Sequence, residues 1–215
     1  MRFRIDLKIF LFLILFYFTK QIETYTIIII FAIIHELGHL LAGLMVGMKP
    51  DKMELKPYGV SISFKMSKKE TSPIGHFKKI VVALAGPLTN LLIIIIVYNI
   101  KLDLFSNLMI IYANVLLIVF NLIPIYPLDG GRVLKEILHI CYGEKKAIRY
   151  ISNISFVILI ILTFIGSIAV FYLENVAIFI VIVFLWGVYI NQDVIEKRRG
   201  KIQDLIEKTI EINDD

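Results

Sequence analysis

The sequence predicts an all-α polytopic membrane protein with about six transmembrane helices and a small membrane-associated β-hairpin between helices 2 and 3. Composition is the first indication, because 58% of the 215 residues are hydrophobic and the mean hydropathy is +0.81. Both values are above those of ordinary soluble domains. The second indication is that the apolar residues gather in segments about as long as a bilayer is thick.

Six apolar segments predict the helices, and we expect them to form one domain over residues 1–191. They lie at 7–19, 25–47, 79–99, 107–127, 151–173 and 175–191. The first resembles a signal peptide, but no small-residue cleavage site follows it, so we expect it to remain as a helix. Residues 192–215 read as a short charged cytosolic tail, without a CBS or PDZ domain.

The distribution of basic residues orients the predicted bundle. Of the 23 Lys and Arg residues, 21 lie in the N-terminal arm, the two loops at 49–79 and 132–149, and the C-terminal tail. Basic loops collect on the cytosolic side of a membrane, so both termini are expected there. The net charge of +5 is then explained by loops that meet anionic lipid head groups, and the sequence gives little support to nucleic-acid binding.

The loop between the second and third spans predicts the hairpin. Residues 60–66 alternate apolar and polar side chains, which is the pattern of a half-buried strand, and a Pro-Tyr-Gly turn precedes them. A strand here, with Ile62 and Phe64 on it, could hold an extended substrate by pairing with it. The alternative is a hairpin at the membrane interface that only caps the bundle.

The second span carries His35, Glu36 and His39 inside an almost unbroken apolar run from 27 to 48. Residues four apart share one face of a helix, so both imidazoles can bind one zinc ion while Glu36 activates water. The HExxH pattern alone is weak. Ionisable side chains at the bilayer centre cost about 2.5 to 3.5 kcal/mol each, so their clustering here favours a metal site over structural packing.

A catalytic zinc usually has three protein ligands, and two histidines leave one to be found. Asp129 is the strongest candidate, because it follows the fourth span at the depth expected of His39, about 10 to 15 Å below the cytosolic surface. Two prolines interrupt the helix before it, and two glycines after it permit a tight backbone. Asp129 could equally be the N-cap of a cytosolic helix beginning near Arg132.

These motifs together resemble those of the site-2 proteases, which are intramembrane zinc metalloproteases. The resemblance is carried by HELGH at 35–39, by AGPLTN at 85–90 and by NLIPIYPLDGG at 121–131. It covers most of residues 25–135. The pairing of HExxH with a distant LDG is far more specific than either motif alone.

The resemblance implies a metalloendopeptidase in which His35, His39 and Asp129 bind Zn²⁺ and Glu36 is the catalytic acid/base. Asn121 is a candidate for binding the substrate backbone, since unwound substrate in lipid needs hydrogen-bond partners. A helix–helix contact would account for Asn121 equally well. Two other functions remain open: a zinc-dependent membrane protease of another family, and a non-catalytic metal-binding or transport protein.

Six spans without an inserted PDZ domain look most like the branch containing the stage IV sporulation protease. That likeness implies a bacterial cell-membrane protein, and the orientation given by the basic loops predicts that its site opens to the cytosol. It further implies a membrane-associated substrate of the sigma-factor precursor type and an inhibitory membrane partner. The short tail departs from the branch, which commonly carries a nucleotide-sensing CBS domain.

Overall fold

The computed structural model describes residues 2–5, 22–56, 59–64, 73–100, 106–173, 179, 181–183 and 185–191. These residues are mainly helical and include a three-stranded sheet. The chain divides into two compact units, Met1–Ile123 and Pro124–Asp215. The first contains the sheet and three of the helices, and the second contains the remaining helices.

Three apolar helices form the body of the first unit. They are α1 at Ile22–Met45, α2 at Pro73–Asn99 and α3 at Asn107–Leu122. A rise of about 1.5 Å per residue makes α1 about 36 Å long, which is enough to cross the hydrocarbon core of a bilayer. The stretches Tyr25–Met45 and Ile74–Asn99 both qualify as spans by length and hydropathy, whereas α3 is a shorter apolar helix.

Helices α1 and α2 run antiparallel and approach each other closely. Gly38 permits this approach, because a side chain there would collide with the Thr89 hydroxyl. Nearer the C-terminal end of α1, the Lys78 ammonium donates a hydrogen bond to the Val46 carbonyl oxygen at 2.8 Å. A cation is favourable there, because the last carbonyls of a helix carry partial negative charge. Gly47 then ends the helical turn with a φ of 81°.

The three strands follow the order β1-β2-β3 in one sheet. Strands β2 (Pro50–Lys56) and β3 (Gly59–Phe64) are antiparallel neighbours, with Met53 opposite Ile62. Strand β1, Arg2–Ile5, pairs in parallel with β2. The pairing of the first residues of the chain with β2 was not predicted from the sequence.

Strand β3 packs on α1 at the point where the strand ends. A side chain at Gly43 would meet the Phe64 ring, so glycine makes room for the aromatic group. Gly43 lies four residues after His39, and residues at that spacing share a helical face. The sheet therefore lies beside the helix face that carries the histidines.

The second unit is built on α4 (Asp129–Tyr142) and α5 (Glu144–Leu173), which are joined by Gly143 with a φ of 78°. Glu144–Tyr172 is the third stretch among the described residues that is long and apolar enough to span a membrane. The most buried apolar side chains described in this unit are Ile125, Ala147, Ile151, Leu159 and Leu185.

Residues 123–128, between α3 and α4, are not helical, and the Tyr126–Pro127 peptide bond is cis. The fourth span was predicted to continue to residue 127, and this was too long, because α3 ends at Leu122. Prolines at 124 and 127 have no amide hydrogen to donate and therefore interrupt the helical ladder. The alternative role of Asp129 as an N-cap is not observed, since Leu128 occupies the N-cap and Asp129 is the first helical residue.

The predicted number of six spans remains a prediction. The first predicted span, 7–19, lies outside the described residues, as does the tail at 192–215. The sixth, 175–191, is described in part, and its residues 185–191 are helical. The predicted starts of two spans were too late, because α2 begins at Pro73 and α5 at Glu144.

Candidate metal centre

Two histidines of α1 present their ring nitrogens to each other in the interior of the first unit. His35 is 3% exposed and His39 is 2% exposed. Their Nε2 atoms lie 3.1 Å apart, and the rings meet edge to face at 85°. Two nitrogen donors that converge within an apolar helix are arranged as a pair of metal ligands would be.

The backbone of α2 fixes the orientation of His39. Its Nδ1 lies 2.6 Å from the Val82 carbonyl oxygen, an acceptor, so Nδ1 carries the proton. Gly86 N also lies 3.3 Å from Nδ1, but that contact requires an unprotonated Nδ1 and is the longer one. With Nδ1 protonated, Nε2 keeps its lone pair for a metal ion, the usual arrangement around a ligating histidine.

Gly86 provides the space in front of the two imidazoles. A Cβ at this position would collide with the Nε2 atoms of both His35 and His39. Only glycine lacks that atom, so the packing of α2 leaves room at the position where the two nitrogens converge. The AGPLTN segment therefore contributes to the site through the absence of a side chain.

Glu36 lies next to His35 in the middle of α1 and is half-buried. Its position in the helix gives the site a carboxylate that can accept and return a proton. Leu37 and Leu41 of the same helix are exposed to the surroundings. Helix α1 thus has an exposed apolar face and a buried polar face on different sides. This is expected of a membrane span with ionisable residues that face the protein interior.

Asp129 belongs to the second unit, where it is the first residue of α4 and is 4% exposed. Its Oδ1 lies 3.5 Å from Arg132 Nη1, one helical turn later. The Arg132 side chain is 39% exposed, so solvent weakens this ion pair. A buried carboxylate at a helix N-terminus is favoured by the partial positive charge of that end.

Comparison with known proteins places the chain in a family. The profile of peptidase family M50 matches residues 23–106 and 98–165. The chain belongs to this family, the site-2 proteases. The solved structure of a site-2 protease from Methanocaldococcus jannaschii is similar to it, with a TM-score of 0.66 and 25% identity over 88% of this chain and 89% of the other.

Two curated relatives of this M50 chain are also zinc metalloproteases by name. The zinc metalloprotease of M. jannaschii is 29% identical over 170 residues, which are 75% of this chain and 47% of the relative. A Synechocystis protein with a provisional zinc metalloprotease name is 34% identical over 139 residues, which are 60% of this chain and 35% of the relative. The chain thus spans less than half the length of these two relatives.

Zinc is the metal that membership of family M50 implies, and the donors fit it. Two nitrogens bound to a tetrahedral zinc at about 2.0 to 2.1 Å lie about 3.3 to 3.4 Å apart. The observed 3.1 Å between His35 Nε2 and His39 Nε2 is close to that value. Imidazole and carboxylate are also the ligand types that catalytic zinc sites use.

The three residues predicted to bind substrate in this M50 chain have different surroundings. Asn121 is half-buried, and its amide donates a hydrogen bond to the Leu117 carbonyl oxygen at 3.0 Å, within its own helix. Ile62 lies on β3, and its side chain is outside the described part of the structure. Phe64 is half-buried against Gly43. A role in substrate binding remains a prediction for all three.

Val82 and Gly86 contribute to the centre without being predicted as site residues. Val82 acts through its backbone carbonyl, which any residue type would supply, so the sequence holds no signal for it. Gly86 did have a signal, because it lies in the AGPLTN motif in the interior of an apolar span. A glycine in a helix interior costs about 1 kcal/mol relative to alanine, and such a glycine often serves close packing.

Proposed function

We propose that this chain is an intramembrane zinc metalloprotease that hydrolyses a peptide bond in a membrane-associated protein. His35, His39 and Asp129 hold the zinc ion, and Glu36 is the catalytic acid/base. The observation that carries the proposal is the convergence of two buried imidazole nitrogens, 3.1 Å apart, in a membrane-length helix of an M50 chain. Support for Asp129 comes from its burial and from the LDGG motif that surrounds it.

The residues of the chain divide the reaction between binding and proton transfer. When bound, zinc lowers the pKa of water towards 7 and polarises the scissile carbonyl. Glu36 takes the proton from the attacking water and delivers it to the leaving amine nitrogen. The Val82 carbonyl keeps His39 in the tautomer that binds metal throughout this exchange.

Strand β3 is the proposed docking edge for the extended substrate. Strand β2 has a neighbour on each side, whereas β3 pairs with β2 alone among the described strands. The other edge of β3, which pairs with no described strand, is the edge that a further strand would join, and Phe64 brings the end of β3 against α1 near the histidines. The Phe64→Ala variant is expected to raise the KM for a protein substrate while leaving bound zinc unchanged. An unchanged KM would count against this docking edge.

The finer parts of the proposal concern orientation and substrate. We place both termini and the opening of the site on the cytosolic side of a bacterial membrane, on the support of the basic loops. A sigma-factor precursor as substrate, and an inhibitory membrane partner, are supported only by the six-span resemblance to the sporulation branch. Co-expression with candidate precursors, comparing wild type with Glu36→Gln, would show a shortened product for wild type alone.

The decisive experiment combines zinc content with cleavage in the purified full chain reconstituted in lipid. Glu36→Gln should retain stoichiometric zinc and lose cleavage, because it removes the proton acceptor and leaves the ligands. His39→Asn and Asp129→Asn should lose both. Asn121→Ser is the comparison variant. Asn121 is half-buried and is not a proposed ligand, so this variant should keep its zinc even if its cleavage rate changes.

The same variants separate the two alternative functions. A zinc protease of another type, with a glutamate as the third ligand, would keep zinc and activity in Asp129→Asn. A metal carrier or silent metal-binding protein would be unaffected by Glu36→Gln, because binding and transport need no general base. Either result would overturn the proposed mechanism.

A further inference from the structure

Helix α5 buries one residue in every four along the side that faces the second unit's core. Ala147, Ile151, Ser155 and Leu159 each expose 3% or less of their surface. Residues at this spacing form one continuous face of a helix. Ser155 is the polar member of the face and is completely buried.

The other described hydroxyl groups of α5 have partners both inside and outside the helix. The Ser152 hydroxyl contacts the Tyr189 hydroxyl at 3.2 Å, and the Trp186 indole donates to the Thr163 hydroxyl at 2.9 Å. Thr163 donates to the Leu159 carbonyl oxygen and Ser167 donates to the Thr163 carbonyl oxygen, each at 2.7 Å. This local bonding is the usual role of hydroxyl side chains in membrane helices. Ser155 has a different role, because its Oγ accepts a hydrogen bond from the Tyr126 backbone amide at 3.1 Å.

The Tyr126 amide belongs to the non-helical segment 123–128. Prolines 124 and 127 have no amide hydrogen, and the Leu128 amide donates to the Ile125 carbonyl oxygen at 2.8 Å. The Ile123 amide donates to the Phe120 carbonyl oxygen at 3.3 Å, whereas the Tyr126 amide lies outside any helical ladder, and within a membrane little water is available as a substitute acceptor. The Ser155 hydroxyl supplies the acceptor that the segment itself lacks.

Segment 123–128 also packs closely against α4. A Cβ at Gly131 would collide with the backbone of Ile125 and Tyr126, so these residues lie directly on the first turn of α4. The Lys135 ammonium lies 4.3 Å from the centroid of the Tyr126 ring. The segment that precedes Asp129 is therefore held by two contacts. Ser155 of α5 bonds to the Tyr126 amide, and Gly131 of α4 packs against the Ile125 and Tyr126 backbone.

We propose that Ser155 is a positioning residue of the metal centre, which holds the backbone of Tyr126 so that the Asp129 carboxylate keeps its binding orientation. This inference rests on the proposed function, in which Asp129 is a zinc ligand. Residues that orient metal ligands from outside commonly change metal affinity by 10- to 100-fold when they are replaced. Ser155 acts on Asp129 through the backbone of Tyr126, which lies three residues before Asp129 in the chain.

The test is the zinc dissociation constant of the purified full chain, measured by competition with a chelator well below the unfolding temperature. Ser155→Ala removes the acceptor and is expected to weaken zinc binding 10- to 100-fold. Ser155→Thr keeps the hydroxyl and should recover most of the affinity. Ser167→Ala, on the same helix, removes a hydroxyl that bonds only locally in the described contacts and should leave the affinity unchanged.

A merely structural role for Ser155 gives a different result. It would lower the unfolding temperature of Ser155→Ala without changing zinc affinity, and that outcome overturns the inference. Should the alanine variant fail to fold, Ser155→Cys offers a similar volume with a weaker acceptor; intermediate affinity supports the inference and wild-type affinity overturns it. Asp129→Asn is measured in parallel, since retained zinc there would refute the proposed ligand set rather than the role of Ser155.

Discussion

The Nδ1 atom of His39 lies 2.6 Å from the carbonyl oxygen of Val82, so a proposed metal ligand of α1 is oriented by the backbone of α2. The contact joins two helices that both qualify as membrane spans. Its acceptor is a main-chain group, so no side-chain substitution at position 82 removes it directly. The geometry of the two histidines therefore depends on how closely α2 packs against α1.

Replacement of Gly86 by alanine is expected to weaken zinc binding by at least tenfold. The added methyl group would occupy the space next to both Nε2 atoms, so either the rings turn away or α2 moves. Gly187→Ala is the matched control, because a Cβ there meets nothing within 4 Å among the described residues. Zinc affinity of the purified variants provides the measurement, and equal affinities for Gly86→Ala and wild type would contradict the assigned role.

The contact between Gly38 and Thr89 predicts a non-additive pair of substitutions. Gly38→Ala should destabilise the protein by about 1 to 3 kcal/mol, because the new Cβ collides with the Thr89 hydroxyl. Adding Thr89→Ala removes that hydroxyl and should recover part of the loss. Unfolding of the two single variants and the double variant in detergent gives the coupling energy. Strict additivity of the three values would show that the helices do not meet at this point.

Removal of zinc is expected to lower thermal stability as well as activity. A ligand that binds only the folded state stabilises it by about 2.7 kcal/mol at a concentration one hundred times its Kd. Chelation followed by thermal unfolding should therefore reveal a lower midpoint, restored by added zinc. In His39→Asn the midpoint should no longer respond to either treatment. If chelation left the thermal unfolding midpoint of the wild type unchanged, that result would argue against a bound metal.

Cys141 offers a test of orientation without any engineering, because it is the one cysteine in the sequence and is exposed on α4. The predicted topology puts residues 132–149 in the cytosol. A membrane-impermeant maleimide should label the chain in inverted vesicles and not in intact cells. Cys141→Ser provides the unlabelled control. Labelling in intact cells would reverse the predicted orientation.

The sequence predicted the helical character of the fold well where long apolar runs dominate. The spans at 25–47, 79–99 and 151–173 correspond to α1, α2 and α5, whose length and hydropathy are set by the bilayer. Their starts were less well predicted, because amphipathic turns such as that at the start of α5 continue a helix beyond its apolar part. Hydropathy indicates which residues lie in the lipid, but it does not indicate where the backbone hydrogen bonds of the helix begin.

The site was predictable where one helix carries it and unpredictable where other elements support it. His35, Glu36 and His39 could be proposed from the sequence because a spacing of four on a helix implies a shared face. Val82 acts through a carbonyl and Ser155 through one hydroxyl about thirty residues from its partner, Tyr126. Such contacts depend on tertiary packing, which no local pattern records.

The pairing of β1 with β2 has a practical consequence for anyone who produces this protein. Because β2 follows the C-terminal end of α1, the first residues of the chain lie on that same side of the helix, within the sheet itself. A bulky affinity tag or fluorescent fusion placed directly ahead of Arg2 would adjoin the start of β2, at the side of the sheet opposite the proposed docking edge. A long, flexible spacer in front of Arg2 would keep such a fusion from disturbing the pairing of β1 with β2.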